Sequence, residues 1–232
     1  MSSYPYNLGN YSWKIKMVSK IAQLWFDRGL IWTYGFHHEE AQVCSESALK
    51  EDPKCSMAYW GLTYIAGPNY SRPWETFGAH EAKAMLTTCR ENLTSAKKYS
   101  TQKSLEGRLI QALERTLQAD SVAEDPYGWS ADYDHEMHKL HQEFPEEQDI
   151  ITLFVDAMMN RHLWKLWDLK SGTPHEGADT LEAQDVLERA MDKFHCATHR
   201  HPGLLHLYIH LMEMSPTPEA ALPQADDLRR LV

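Results

Sequence analysis

Residues 22–53 read AQLWFDRGLIWTYGFHHEEAQVCSESALKEDP, and this segment is the most informative part of the chain about its fold. Aromatic, glycine, alanine and proline residues stand in it at fixed offsets: Trp25, Gly29, Trp32, Ala41, Ala48 and Pro53. Small residues allow the two helices of a hairpin to approach closely, and the large aromatic side chains fill the space beside them. Proline disfavours helical backbone at the residue before it, so Pro53 ends the second helix. The segment predicts two antiparallel helices joined by a short connection.

These offsets are those of the 34-residue tetratricopeptide repeat. The best match spans residues 22–55, and Ser56 opens a further unit with Tyr59 in register. Beyond this point the pattern weakens, so residues 56–232 are expected to form degenerate helix pairs. Such a unit cannot bury its apolar face alone and must stack on its neighbours. The predicted fold is all-α, with antiparallel helix hairpins stacked as a tetratricopeptide-like right-handed superhelix, an α-solenoid, in one domain over residues 1–232.

Apolar residues recur at intervals of three and four along most of the chain. No segment combines β-branched residues with strict alternation, so no strand is predicted. Helices are predicted at roughly residues 13–34, 37–51, 56–66, 75–92, 101–118, 127–143, 150–167, 180–199, 202–214 and 216–231. Because the connections are short, neighbouring helices are expected to pack antiparallel.

The 232 residues include 33 Asp and Glu against 23 Lys and Arg, a formal net charge of −10, and 43% are hydrophobic. This composition is typical of a globular protein with a substantial core. The acidic balance, without a stripe of Lys or Arg, argues against nucleic acid or an anionic membrane as a partner. No apolar run reaches the roughly 20 residues that a membrane span needs. Four cysteines without a C-x-x-C pair suit a reducing compartment, so a cytoplasmic location is expected.

Four segments carry a more specific resemblance: YGFHHEEA at Tyr34–Ala41, DPKCSMAYWG at Asp52–Gly61, GPNY at Gly67–Tyr70 and HPGLLHLYIHLME at His201–Glu213. Together they resemble a bacterial and fungal family of tetratricopeptide-repeat proteins, over residues 21–232. The resemblance implies a helical-repeat fold and does not by itself imply an activity. Members usually continue past the part similar to residues 225–232 into another histidine-containing stretch. We therefore expect either a shortened member or a site to which another chain contributes.

Histidines are concentrated near the carboxyl end, where six of the 13 lie between residues 175 and 210. Pro202 suits the first position of a helix, and on that helix His206, His210 and Glu213 follow at intervals of four and three. These intervals place the three side chains on one face. The spacing His-x3-His on a helix allows two imidazoles to meet one metal ion. The intervening residues lack the glutamate base of a zinc peptidase, so a metalloprotease is excluded.

The same helix is apolar on its other sides and is expected to be buried. Burying two imidazoles and a carboxylate without partners is costly. A metal ion would remove this cost, and imidazole with carboxylate suits zinc, iron or copper. The alternative is a buried network of His–Glu hydrogen bonds that ties helices together.

Further ligands are expected from the start of the second helix. His38 is a candidate chiefly through the family resemblance, and Glu39 is a further one, although an acid in a first turn also stabilises the helix dipole. His201 is expected to precede its helix as a residue of the cap, or to act as an outer partner of the site. The predicted metal ligands are therefore His206, His210, Glu213 and His38, with His201 and Glu39 as further candidates.

Two classes of function follow. The first is a transition-metal-dependent enzyme, oxidative or hydrolytic, that acts on a small organic substrate in the concave face. The second is a non-catalytic scaffold that binds a peptide in its groove. Expected groove positions such as Gln23, Phe26 and Thr33 lack the basic side chains that clamp acidic peptide tails, so an apolar peptide is the predicted partner in that case. The sequence leaves self-association into homo-oligomers open.

Overall fold

A computed structural model describes residues 4–17, 19–119, 121–122, 126–195 and 200–231. These residues are mostly helical, in agreement with the predicted all-α class. They form ten α-helices: α1 Lys20–Tyr34, α2 His38–Glu51, α3 Ser56–Ala66, α4 Ala79–Tyr99, α5 Leu105–Leu113, α6 Tyr127–Glu143, α7 Gln148–Arg161, α8 Thr180–Lys193, α9 Pro202–Met212 and α10 Leu222–Arg229. In this described part of the chain, none of the helices has both the length and the apolar character needed to cross a bilayer.

Local signals explain the helices whose limits were predicted most closely. α2 starts after His37, whose Nδ1 accepts from the Glu40 amide at 3.4 Å, and it stops before Asp52 and Pro53. α3 covers the predicted residues and ends at Gly67, which precedes a proline. α6 also has its predicted limits. At these positions a cap or a proline acts within a few residues, so tertiary packing does not move the boundary.

The predicted start of the first helix at residue 13 is wrong, since α1 begins at Lys20. The Ser19 hydroxyl caps it by accepting from the Ile21 and Ala22 amides at 3.2 and 3.3 Å. Residues 4–17 contain neither helix nor strand, and we name this segment the N-terminal strap. Trp13 is buried in it and donates its backbone N–H to Asp27 Oδ1 at 3.2 Å. The apolar Trp13 at the predicted helix start is therefore buried from a non-helical segment.

The expectation of no strands is also wrong, because a short antiparallel pair follows α7. β1 (Trp167–Asp168) pairs with β2 (Thr173–Pro174). The Asp168 carboxylate accepts from the amides of Lys170 and Ser171 at 2.8 and 2.9 Å, and Gly172 adopts a φ of +69° that closes the turn. The predicted helix over residues 150–167 therefore ends too late, since α7 stops at Arg161 and its last turn is capped by the His162 amide.

Several other predicted limits shift. α4 starts later, after a 3-10 turn at Trp74–Thr76, and a second such turn follows α5. A third, Pro218–Ala221, takes up the first part of the last predicted helix. The predicted end of the eighth helix at His199 is wrong, since α8 ends at Lys193 and Phe194 caps it. Cys196 lies outside the described residues. The three described cysteines are free and buried: Cys44, Cys55 and Cys89.

The small residues of the best-matching repeat lie at the closest contact between helices. A Cβ added to Gly29 on α1 would lie 3.3 Å from Ser45 Oγ and 3.5 Å from the Ala41 carbonyl oxygen on α2. A Cβ added to Gly61 on α3 would lie 3.4 Å from the same Ser45 hydroxyl. Three successive helices therefore meet around Ser45, as small residues at a helix-hairpin interface allow.

The helix α9 packs against α1, α7, α8 and α10. Gly203 makes this position possible, since a Cβ there would lie 2.5 Å from Thr152 Cγ2 on α7 and 3.0 Å from Tyr34 Cγ on α1. Any larger side chain would force these helices apart. The absence of a side chain at Gly203 therefore brings His206 and His210 to the carboxyl end of α1.

Candidate metal centre

Two imidazoles of α9, those of His206 and His210, form the centre of the candidate site. Their Nε2 atoms are 3.1 Å apart, and their ring centroids are 4.6 Å apart. Both residues are half-buried, with 24% of the His210 side chain exposed. The predicted pairing of these two residues on one helix face is therefore present in the structure.

The other nitrogen of each ring has a partner that can only accept a hydrogen bond. His206 Nδ1 contacts the backbone carbonyl oxygen of Tyr34, and His210 Nδ1 lies 3.1 Å from Glu213 Oε1. A carbonyl and a carboxylate both require a donor, so each Nδ1 carries the hydrogen. In a neutral imidazole the other nitrogen then bears the lone pair. When both rings are neutral, two acceptor nitrogens therefore lie 3.1 Å apart.

Protonation of the His206 ring is disfavoured at neutral pH. Burial, and then the neighbouring His210, lower the pKa of His206 below its usual value. The His206 ring is therefore neutral at pH 7. Two neutral acceptor atoms at hydrogen-bond distance repel each other unless a proton or a cation lies between them.

Phe36 forms the aromatic wall of the pair. Its ring centroid is 4.7 Å from that of His206 and 5.1 Å from that of His210, on which it stacks at 28°. Its φ of +57° is left-handed, a conformation that costs about 1–2 kcal/mol for a residue with a side chain. The amides of Phe36 and His37 donate to the carbonyls of Thr33 and Trp32, which completes the hydrogen bonding of the end of α1. Backbone strain is thus located at the residue that covers both imidazoles.

Glu213 lies on the far side of His210 from the paired nitrogens. It contacts Nδ1 and also accepts from the Tyr70 hydroxyl at 3.4 Å, while 44% of its side chain is exposed. In the part of the chain that the structure describes, no group of three or more His, Cys, Asp or Glu side chains is arranged to hold a metal ion. The carboxylate is therefore placed to orient His210, and the structure does not bring it next to the two Nε2 atoms.

His38 and Glu39 lie at the start of α2 and do not join the pair. His38 Nδ1 lies 3.4 Å from the Ile65 carbonyl oxygen and 3.3 Å from Asn69 Nδ2. Its Nε2 is buried and has no hydrogen-bond partner among the described residues, and burial lowers the pKa of this imidazole. Glu39 is exposed in the first turn of α2. Its position agrees with the expected contribution to the helix dipole.

His201 is a buried helix cap. Its Nδ1 accepts from the amides of Gly203 and Leu204 at 3.1 and 3.4 Å, so its Nε2 carries the hydrogen and donates to Asp149 Oδ1 at 3.2 Å. The Tyr34 hydroxyl donates to the same oxygen at 2.6 Å, as does that of Tyr11. The prediction that His201 precedes its helix in the cap region is confirmed.

This network lies at a large cleft of about 1230 Å³. The N-terminal strap, the end of α1, the starts of α7 and α9, and α10 line it, and His206 is among the lining residues. Sequence analysis did not identify Tyr11, Tyr34 or Asp149 as site residues. They are far apart in the chain, and no spacing pattern connects them.

No protein family, curated protein or solved structure matches the chain. The side chains around His206 and His210 are consequently the basis for a functional assignment.

Proposed function

We propose that the protein binds a transition-metal ion through the Nε2 atoms of His206 and His210. The Tyr34 carbonyl and the Glu213 carboxylate then hold the two rings from their Nδ1 sides. Metal-binding histidines commonly donate their other N–H to a carbonyl or a carboxylate, which fixes the tautomer and raises the basicity of the ligand. Two Nε2 atoms 3.1 Å apart, on rings whose Nδ1 atoms both contact an acceptor, are the observation that carries this proposal.

The distance between the two nitrogens suits a single ion. With metal–nitrogen bonds of about 2.0–2.1 Å, nitrogens 3.1 Å apart subtend an angle of about 100° at the metal. This angle lies between the values for square and tetrahedral coordination, and zinc, copper and iron all accept imidazole ligands. Two protein ligands leave coordination positions for solvent or for a substrate.

The neighbouring cleft favours a metal-dependent enzyme. His206 belongs both to the pair and to the lining of the cleft of about 1230 Å³, which has room for a small organic molecule. A metal with open positions would support oxidative or hydrolytic chemistry on such a substrate. The three described free thiols support the expected reducing, cytoplasmic environment.

A second candidate function is a tetratricopeptide-like scaffold. The close contact of α1 with α2 at Gly29 supports the proposal that these helices are one repeat of a stacked superhelix. Exposed apolar side chains on this hairpin favour an apolar peptide partner: Ile21, Leu24 and Val43. In this alternative, His206 and His210 have a structural role and share a proton.

Metal analysis of the tag-free protein separates the two functions. After incubation with zinc, copper(II) or iron(II) and removal of the excess, the wild type is expected to retain one ion per chain, measured by inductively coupled plasma mass spectrometry. The His206→Ala and His210→Ala variants are expected to lose it, whereas a variant of the exposed His135, His135→Ala, retains it. Glu213→Gln is expected to weaken binding about 10- to 100-fold. Equal metal content in the wild type and in both pair variants would refute the metal site.

A further inference from the structure

A second group of polar side chains lies away from α9, where α3, α6 and α7 meet. A small cavity of about 40 Å³ lies between Tyr64 on α3, Tyr133 on α6, and Asp156 and Asn160 on α7. One water molecule needs at least about 10–15 Å³ of such space, so the cavity has room for one water or one small ion. Tyr133 and Asp156 are only 6% and 8% exposed. Two of the residues that line the cavity are therefore buried, whereas Tyr64 and Asn160 are half-buried.

Asp156 has neutral hydrogen-bond partners. Its Oδ2 accepts from Asn160 Nδ2 at 2.7 Å and from the Tyr64 hydroxyl. Arg161, the next cationic residue along α7, pairs instead with Asp134 at 3.0 Å and Asp179 at 2.5 Å. Among the described residues, no Lys, Arg or His forms an ion pair with the Asp156 carboxylate. Its negative charge is thus compensated by neutral donors alone.

Two further oxygen atoms at this cavity lack partners. The Tyr133 hydroxyl and Asn160 Oδ1 are both buried without a hydrogen bond within the described part of the chain. The amide nitrogen of Asn160 donates to Asp156, which leaves the amide oxygen available to a ligand. A buried polar atom without a partner is unfavourable, and most such atoms in proteins have one. A ligand in the cavity would satisfy both oxygens.

The chemistry of these atoms indicates which ligand they would take. Carboxylate, amide and phenol oxygens are hard donors, and hard cations prefer oxygen ligands. We propose that the cavity binds one Na⁺ ion through Asp156, Asn160 Oδ1 and the Tyr133 hydroxyl. A monovalent ion balances the single carboxylate, whereas a divalent ion would leave an uncompensated buried charge. The site is independent of His206 and His210, which lie on another helix.

The ionisation of Asp156 sets the conditions of the test. Burial raises the pKa of this carboxyl to about 6, so it is charged at pH 8. The other ionisable groups that face the cavity are the phenols of Tyr64 and Tyr133, whose pKa values burial raises well above the usual one. Asp134, which adjoins Tyr133 and is paired with Arg161, is the nearest further charge. At pH 8 the cavity therefore carries the one negative charge that a bound Na⁺ would balance.

Thermal unfolding at pH 8 tests the proposal. Stability is measured in increasing NaCl against tetramethylammonium chloride, with total ionic strength held constant. The wild type is expected to gain stability with increasing Na⁺, as described by binding to one site. At a Na⁺ concentration 100 times the dissociation constant, the ratio of folded to unfolded protein is expected to be about 100-fold higher. Tyr133→Phe keeps the ring but removes one ligand oxygen, so it is expected to need about tenfold more Na⁺. Tyr59→Phe, whose hydroxyl contacts the Pro53 carbonyl outside the cavity, is the control and keeps the wild-type curve.

Asp156→Asn is expected to abolish the specific effect of Na⁺. If this variant does not fold, ²³Na relaxation of the wild type and of Tyr133→Phe provides the second measurement. Line broadening that saturates with protein, and that is weaker in Tyr133→Phe, supports the site. Identical unfolding curves in the two salts, with no ²³Na broadening by the wild type, would mean that a water molecule occupies the cavity and would overturn the proposal. A His206→Ala/His210→Ala variant is expected to keep the Na⁺ effect of the wild type, whether or not the α9 pair binds a metal.

Discussion

At the scale of single residues, Phe36 combines an unfavourable backbone with a central side chain. Glycine usually occupies the left-handed position after a helix because it has no Cβ. Here Gly35 precedes that position, with a φ of −89°, and Phe36 occupies it. In this conformation the Phe36 ring contacts both imidazoles. The residue with the strained backbone is therefore the one that packs against the candidate metal centre.

A pair of substitutions measures this strain. Phe36→Gly and Phe36→Ala both remove the ring, but only glycine relieves the backbone. We expect Phe36→Gly to be more stable than Phe36→Ala by about 1 kcal/mol, measured by urea unfolding. At a position with ordinary helical backbone the order would be reversed, because glycine is less favourable there than alanine. An alanine variant as stable as the glycine variant would contradict a left-handed Phe36.

The buried Asp156 carboxyl gives the protein a defined pH dependence. Its pKa in the folded state is about 6, above the value of about 3.9 expected in the unfolded chain. The stabilising contribution of the protonated carboxyl is therefore complete below about pH 4 and is lost as the pH rises through 6. The two pKa values differ by about two units, which corresponds to about 3 kcal/mol.

The measurement compares the wild type with Asp156→Asn in tetramethylammonium salts between pH 4 and 8. The free energy of unfolding of the wild type is expected to fall relative to that of the variant over this range. Adding Na⁺ at pH 8 is expected to restore part of the difference. A difference that does not change with pH would mean that Asp156 has the same pKa in the folded and unfolded states.

At the scale of elements, the contact of α9 with α7 and α1 depends on Gly203. Gly203→Ala is expected to destabilise the protein by about 1–3 kcal/mol, because the added methyl group overlaps Thr152 Cγ2. Thr152→Ser removes that methyl and keeps the hydroxyl that donates to the Gln148 carbonyl at 2.8 Å. The double variant should therefore recover part of the loss, and urea unfolding of all four proteins gives the coupling. Additive effects of the two substitutions would show that these side chains do not limit the approach of α9.

The same elements show what the sequence could predict. α3 stops where predicted because Gly67 and Pro68 follow it, and α6 has its predicted limits because Pro126 and Pro145 flank it. The predicted start of α1 was wrong because the apolar residues from Trp13 onward follow a helical interval. In the structure, Trp13 belongs to the N-terminal strap, where its amide donates to Asp27 on α1. His206 and His210 could be paired from their interval alone. The contact of His206 with the Tyr34 carbonyl could not be predicted. The two residues are 172 positions apart, and their contact depends on how α9 packs against α1.

At the scale of the whole molecule, the two ends of the described chain meet. In an open repeat array each repeat contacts only its neighbours. Here α9 packs on α1, and the N-terminal strap reaches α7 through Tyr11. A Cβ added to Gly9 in the strap would collide with the Leu231 backbone carbonyl just after α10. These contacts couple helices that are distant in sequence, so opening at one end should affect the other.

Hydrogen exchange of the native protein tests this coupling. Tyr11→Phe removes a hydroxyl that donates to the buried Asp149 carboxylate, which also accepts from Tyr34 on α1 and from His201 at the start of α9. A hydrogen bond to a charged group contributes about 1.5–3 kcal/mol, so amide exchange in both α1 and α9 is expected to increase about 10- to 100-fold. Tyr59→Phe removes an exposed hydroxyl and serves as the control. If the Asp149 carboxylate couples α1 and α9, the loss of the Tyr11 hydroxyl must increase exchange in both helices. Faster exchange in the strap alone would show that α1 and α9 open independently.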